Sequence, residues 1–211
     1  VYLGEKGELW VEVTFSGKAA HGSTPGRGIN AVLAGSDFSL KLNSRVKEWN
    51  CDELRGCTTL NVGQFNGGWQ VNIVPDRATI KLDFRVISTD QKELALNTIG
   101  EIASEVVDKL GGDFSKETIS YQDPIVSDPE DGYIEGFFRA AGLTPDGGNR
   151  SDPLIVPYCT DAAAIVPELE VPLILYGPGA IEMAHQPDEY VEIESLIESL
   201  ETFTIFFKVT K

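Results

Sequence analysis

Residues 78–87 read Ala-Thr-Ile-Lys-Leu-Asp-Phe-Arg-Val-Ile, and they alternate without a break. Ile80, Leu82, Phe84 and Val86 fall on one side, and Thr79, Lys81, Asp83 and Arg85 on the other. A period of two marks a strand with one face in a core. Residues 9–15 repeat the pattern, with Leu9, Val11, Val13 and Phe15 opposed to Trp10, Glu12 and Thr14. Between these strands, Ile29, Val32, Leu33 and Leu40 recur at roughly helical spacing and predict a helix running to about Trp49. Beyond them, Ala95, Ile99, Ile102, Ala103, Val106 and Leu110 form a second helical stripe. Asp90 is its expected N-cap and Gly111-Gly112 its stop. Thr58–Phe65 and Glu117–Tyr121 read as further strands, and Asn66-Gly67-Gly68 as a turn. The order β-α-β-β-α-β over residues 8–121 predicts a ferredoxin-like α+β domain. Its antiparallel sheet carries both helices on one face and leaves the other face, or an edge strand, to a partner.

Residues 122–211 read differently. Pro129–Ala141 predicts a helix with Pro at its first position, and Thr160-Asp161 predicts a helix start. Val171–Tyr176 (VPLILY) is apolar on both faces, as a strand inside a parallel sheet is. Glu192 to about Val209 predicts a last helix with Ile193, Leu196, Ile197, Leu200, Phe203 and Phe207 in one stripe. One or two buried strands with two or three helices do not cover both faces of a sheet. These residues therefore read as the C-terminal part of an α/β domain with a mostly parallel sheet. Residues 1–7, starting at Val1 rather than Met, read as a connection into the first domain from a preceding segment.

The 211 residues carry 33 Asp+Glu against 17 Lys+Arg, a net charge of −16. Such a surface repels phosphate backbones and anionic lipid, so neither nucleic acid nor membrane is an expected partner. A composition of 42% hydrophobic and 24% charged residues suits a folded core. Three cysteines, Cys51, Cys57 and Cys159, make no disulfide framework and favour free thiols in a reducing, cytoplasmic compartment. Cys51 and Cys57 bracket a short segment and could pair.

Chemistry-bearing residues are few. His185 follows the VPLILY run and the turn Tyr176-Gly-Pro-Gly179, where ligands of α/β sheets bind, and a neutral imidazole there is a candidate metal ligand. His21 lies in a loop of small residues, Gly17–Gly28, and could donate to a developing oxyanion. Asn72 and Arg85 could together hold a carboxylate, since guanidinium is a planar fork. Arg85 could equally pair with a local acid.

Four stretches occur together: GKAAHGSTPGRGINAV, VNIVPDRATIKLDFR, YCTDAAAI and YGPGAIEMAHQPDEYVEIE. They resemble the M20 metallopeptidase family, which includes aminoacylases, acetylornithine deacetylases, succinyl-diaminopimelate desuccinylases and carboxypeptidases of the G type. The resemblance implies a ferredoxin-like lid inserted in a zinc-bearing α/β domain, and a homodimer formed through the lid. It implies that His185 is a ligand to one of two divalent ions, zinc first, with cobalt or manganese as alternatives. It implies that His21 polarises the scissile carbonyl in a neighbouring subunit. Asn72 and Arg85 would contact the substrate, Arg85 at a carboxylate. The backbone of Cys159, Thr160 and Asp161 would line the substrate pocket, although Cys159 stands where such proteins frequently have glycine. The other metal ligands and the general base of such enzymes come from an N-terminal segment with no counterpart in these residues. The expectation is therefore part of a metal-dependent hydrolase of N-acyl amino acids or small peptides, inactive unaided. The alternative is a non-catalytic lid that serves in association or ligand capture.

Overall fold

The computed structural model describes residues 1–143, 154–184 and 186–209. In chain order its elements are β1 (Gly4–Glu5), β2 (Gly7–Ser16), α1 (Ala31–Val46), β3 (Thr59–Gly67), β4 (Arg77–Val86), α2 (Thr89–Leu110), β5 (Asp113–Gln122), β6 (Ile125–Val126), α3 (Gly132–Ala140), α4 (Ala162–Leu169) and α5 (Ile193–Val209). Two compact units emerge, one formed by Lys6–Pro124 with Pro157–Cys159, the other by Val1–Glu5, Ile125–Val156 and Thr160–Lys211.

The first unit is an antiparallel sheet in the order β3-β4-β2-β5. Its central pair consists of the two alternating segments, in a register that sets Val11 against Leu82 and Phe15 against Ala78. The apolar side chains of that pair share one face. Leu9, Val11, Val13, Ile80, Phe84 and Val86 have no exposed surface, and α1 and α2 cover them with Phe38, Leu42, Ala95, Ile99, Ala103 and Val106. Each large apolar side chain so buried contributes roughly 1.5–3 kcal/mol. Phe15 and Phe38 meet across the layers with ring centroids 5.3 Å apart.

Boundaries differ from the sequence reading for local reasons. The Asn30 side chain accepts the Val32 and Leu33 amides, so α1 begins after Asn30 and leaves Ile29 outside, and it ends at Val46, short of Trp49. Ser88, not Asp90, caps α2 by accepting the Gln91 amide; Asp90 sits in the first turn. Strand β5 runs Asp113–Gln122, twice the expected length, because an edge strand with mostly exposed residues shows no apolar period. Gly68, at the expected turn, has φ +74°, the left-handed conformation glycine tolerates.

In the second unit β1 pairs antiparallel with β6. A parallel bridge joins Glu5 to Val156, and an antiparallel bridge joins Tyr2 to Leu175. Val171–Tyr176 is not a strand buried on both faces: Leu173, Ile174, Leu175 and Tyr176 are half-buried. Its backbone is satisfied by Tyr2, whose amide donates to Leu175 at 2.9 Å, and by the Ser127 hydroxyl, which accepts the Leu173 amide at 2.6 Å. Asp131 caps α3, so Pro129 precedes the helix by three residues instead of opening it. Thr160 Oγ1 accepts the Ala162 amide at the start of α4, while the Asp161 side chain makes no cap bond. Leu3, Ile134 and Phe138 form a small core, and Phe137 and Phe206 meet at 5.2 Å. Helix α5 keeps Ile193, Leu196, Ile197, Leu200 and Phe207 exposed.

The three cysteines are not all free thiols, as the sequence reading favoured: Cys51 and Cys57 form a disulfide. Their approach in space, closed by reciprocal amide bonds between Asp52 and Gly56, decides the pairing.

Candidate functional site

The loop after β2 is zipped onto the segment before β4. The Gly17 amide donates to Asp76, Gly22 to Asn72 and Val74 to Ala20, at 2.7, 2.7 and 2.9 Å, and His21 bridges Ile73. Gly22 permits this approach, since a Cβ there would meet the Asn72 backbone at 3.0 Å. His21 and Asn72, far apart in sequence, thus sit side by side, both exposed.

The imidazole is oriented from within its own loop. The Ser23 amide donates to His21 Nδ1 at 3.1 Å, and the Ser23 hydroxyl lies 2.7 Å from the same nitrogen. A backbone N–H can only donate, so Nδ1 is the acceptor and the neutral ring carries its proton on Nε2. An imidazole Nε2–H on an exposed residue can polarise a carbonyl oxygen.

Arg85 is elsewhere. Glu8 and Thr59 are its cross-strand partners. Its Nε and Nη2 lie 2.9 and 3.1 Å from the two Asp83 carboxylate oxygens, and its Nη1 lies 3.3 Å from Glu8. The Nε approach to Asp83 Oδ1 is an ion pair outside hydrogen-bond geometry, so that oxygen is buried without a hydrogen bond. Along β4, Arg77 stands beside Ser16 at the His21 end and Arg85 beside Glu8 at the other. Eight residues at about 3.3 Å each separate the two positions by about 26 Å. The loop zip therefore unites His21 with Asn72, and the length of β4 holds Arg85 apart from both.

Cys159 is half-buried and lies outside the disulfide. Thr160 uses its amide and hydroxyl, at 2.9 and 2.6 Å, on Glu5 Oε2, and Asp161 is exposed. Glu5 is completely buried, a polar anchor that sequence reasoning missed. It falls between Gly4 and Lys6 in no periodic pattern, and its partner is 155 residues away. His185, the expected metal ligand, lies outside the described residues. Among the described residues no group of three or more His, Cys, Asp or Glu could hold a metal ion, so they do not assemble a metal centre. Lys6 is buried and donates to the Cys57 carbonyl at 2.5 Å, and burial holds its pKa below the usual lysine value.

The model of the peptidase dimerisation domain of the M20 family matches residues 3–110, just over half of the chain. A probable succinyl-diaminopimelate desuccinylase of Staphylococcus epidermidis is 28% identical over 98% of this chain and 56% of its own length. An acetylornithine deacetylase of Edwardsiella ictaluri is 26% identical over 91% of this chain and 49% of its own length. Among solved structures, the aminopeptidase PepT of Bacillus cereus superimposes with a TM-score of 0.75 at 22% identity, over 100% of this chain and 54% of that one. A hydantoinase/carbamoylase family amidase of Burkholderia ambifaria gives 0.76 at 16% identity, over 99% of this chain and 48% of that one. The chain spans about half the length of the curated relatives it matches.

Proposed function

Since the chain belongs to the M20 peptidase family, we propose that it is the lid and C-terminal catalytic portion of a hydrolase that cleaves the amide of an N-acyl amino acid or small peptide. The observation that carries the reading is the His21–Asn72 zip, with the imidazole proton assigned to Nε2 by the Ser23 amide. In this reading His21 donates to the carbonyl oxygen as negative charge develops on it, and Asn72 steadies the same group. Arg85 takes the substrate carboxylate by displacing Asp83 or Glu8 from its guanidinium. Backbone at Cys159, Thr160 and Asp161 borders the pocket.

The enzyme works as a homodimer through the lid. Arg85 and His21 stand too far apart in one copy to grip one small substrate, so His21 and Asn72 serve a neighbouring copy. The edge formed by β3 and α1 suits the contact, for it exposes Leu33, Leu40 and Phe65 beside the open edge of the sheet. The water nucleophile and its general base belong to a further segment of the whole protein. So do most ligands of two divalent ions, zinc or else cobalt or manganese, with His185 supplying one ligand. The steps assigned to this chain are on the substrate side. No helix among the described residues is long and apolar enough to cross a membrane. A cytoplasmic location rests on the low cysteine count, and the Cys51–Cys57 bridge weighs against it.

The test is hydrolysis of an N-acyl amino acid series by the full-length protein, with and without chelator. Chelator-sensitive turnover lost in His21→Ala supports the reading. Full metal loading without turnover of any acyl or peptide substrate overturns it and favours a binding module.

A further inference from the structure

We infer that the Cys51–Cys57 disulfide is a redox-responsive clamp that sets the position of the Arg85–Glu8 pair. The kinetic part of this inference rests on Arg85 being the carboxylate contact proposed above; the structural part does not.

The bridge closes residues 51–57 into a ring, tied again by reciprocal amide bonds between Asp52 and Gly56, both 2.8 Å. From the ring and the residue after it, three hydrogen bonds run to the strand ends that flank Arg85. Arg55 Nη1 donates to the Ile87 carbonyl at 3.2 Å. Thr58 Oγ1 accepts the Ile87 amide at 3.3 Å. Lys6 Nζ donates to the Cys57 carbonyl at 2.5 Å. Ile87 lies two residues after Arg85, and Lys6 two residues before Glu8. Thr59, directly after this segment, is the cross-strand partner of Arg85. One ring thus grips both strands that present the ion pair.

Burial makes the ring responsive. Cys51 and Cys57 are exposed, whereas Lys6, Thr58 and Ile87 are buried. A reductant reaches the sulfurs, and what they enforce is internal. When the ring opens, the Lys6 amine loses a fixed acceptor in a buried site, and a buried donor left without one is costly. The loss loosens the start of β2 and the end of β4 together. The chemistry is thiol–disulfide exchange with a dithiol reductant. One reductant thiolate attacks a bridge sulfur and releases the other cysteine as thiolate. The second reductant thiol then displaces the protein sulfur. Two electrons and two protons pass to the protein, giving two thiols, and the reductant leaves as its own disulfide.

Thiol titration of the unfolded chain without reductant should count one thiol, and three after dithiothreitol. Hydrogen exchange of the folded chain then reads the clamp. Reduction should speed exchange in peptides spanning residues 51–60 and 84–88 about tenfold and leave residues 20–24 and 70–75 unchanged. The Cys51→Ser/Cys57→Ser variant should show the reduced pattern in both conditions. Three thiols without reductant overturn the inference. Unaltered exchange at Ile87 in both reduced protein and variant does the same. In the full-length enzyme, reduction should raise KM for a free-carboxylate substrate about fivefold with kcat within twofold, because a loosened end of β4 no longer holds the Arg85 fork in place for the carboxylate. Equal loss in kcat, or no change in KM, overturns the positioning role. Absence of hydrolysis in every form removes the proposed activity, and the exchange pattern then decides the clamp alone.

Discussion

The Ser23 amide donates to His21 Nδ1 at 3.1 Å, so a residue two positions along the chain dictates which imidazole nitrogen carries the proton. In the proposed reading, that contact makes a carbonyl-polarising donor out of a loop histidine. His21→Ala in the full-length protein should lower kcat about a hundredfold to a thousandfold, the cost of one oxyanion donor. Metal content, measured by elemental analysis, should stay the same. A proportional loss of metal would mean that His21 is a ligand instead.

In the proposed reading, Asp83 competes with substrate for Arg85. The pair is partly exposed, with side-chain accessibilities of 22% and 29%, so its net contribution is small, about 1 kcal/mol or less. Asp83→Asn should therefore lower KM for a carboxylate substrate up to about fivefold. Arg85→Lys should raise it, because an ammonium offers no planar fork. Steady-state kinetics on a free acid and its neutral amide separate the two effects: only the acid should respond.

Lys6 ties stability to pH. Its pKa in the folded chain lies below the unfolded value near 10.5, because burial disfavours the charged amine. The unfolded state then binds the proton more tightly, so this group weakens folding below its folded pKa. That penalty disappears as pH rises from the folded pKa toward 10.5. Wild type should gain stability across that window relative to Lys6→Met, measured as denaturant midpoints. Parallel curves for the two proteins would contradict the assignment.

Phe38 joins α1 to the sheet through Phe15 and has no exposed surface. Phe38→Ala should cost about 3–5 kcal/mol, mostly from the cavity it leaves. Trp10, Trp49 and Trp69 are the three tryptophans and all lie in the first unit, so tryptophan fluorescence during urea unfolding reads that unit directly. A loss below about 1 kcal/mol would mean the layers collapse around the gap.

The exposed stripe Ile193, Leu196, Ile197, Leu200 and Phe207 on α5 is larger than a lone surface helix tolerates. The 211-residue chain by itself should bind a hydrophobic dye and self-associate. Replacing Leu196 and Leu200 by Glu should reduce both, read by dye fluorescence and light scattering.

Local physics made the first unit legible. Ile80 to Val86 and Leu9 to Phe15 alternate because neighbouring strand residues face opposite sides, and Ala95 to Val106 recur because a helix returns every 3.6 residues. Those periods need no knowledge of the partner surface, and they determined the order of elements along the chain and the core face of each. The loop residues His21 and Asn72 could be named from residue type and motif. Their adjacency required the zip between Gly22 and Asn72, which no local pattern contains.

Everything that depends on long-range approach belonged to the tertiary structure. Arg85 reads as a carboxylate contact or as the partner of some local acid until the β2–β4 register sets Glu8 against it and Asp83 folds back onto it. Cys51 and Cys57 read as thiols that could pair until the folded loop brings their Cα atoms to 4.3 Å. Glu5 has no meaning until Thr160 arrives from 155 residues away. The run Val171–Tyr176 suits a buried strand as well as a half-buried segment, since apolar content sets the wish for burial and only neighbours decide whether it is met. The physical reason is the same throughout. Side-chain period is a property of the backbone, whereas pairing is a property of whatever the folded chain brings into reach.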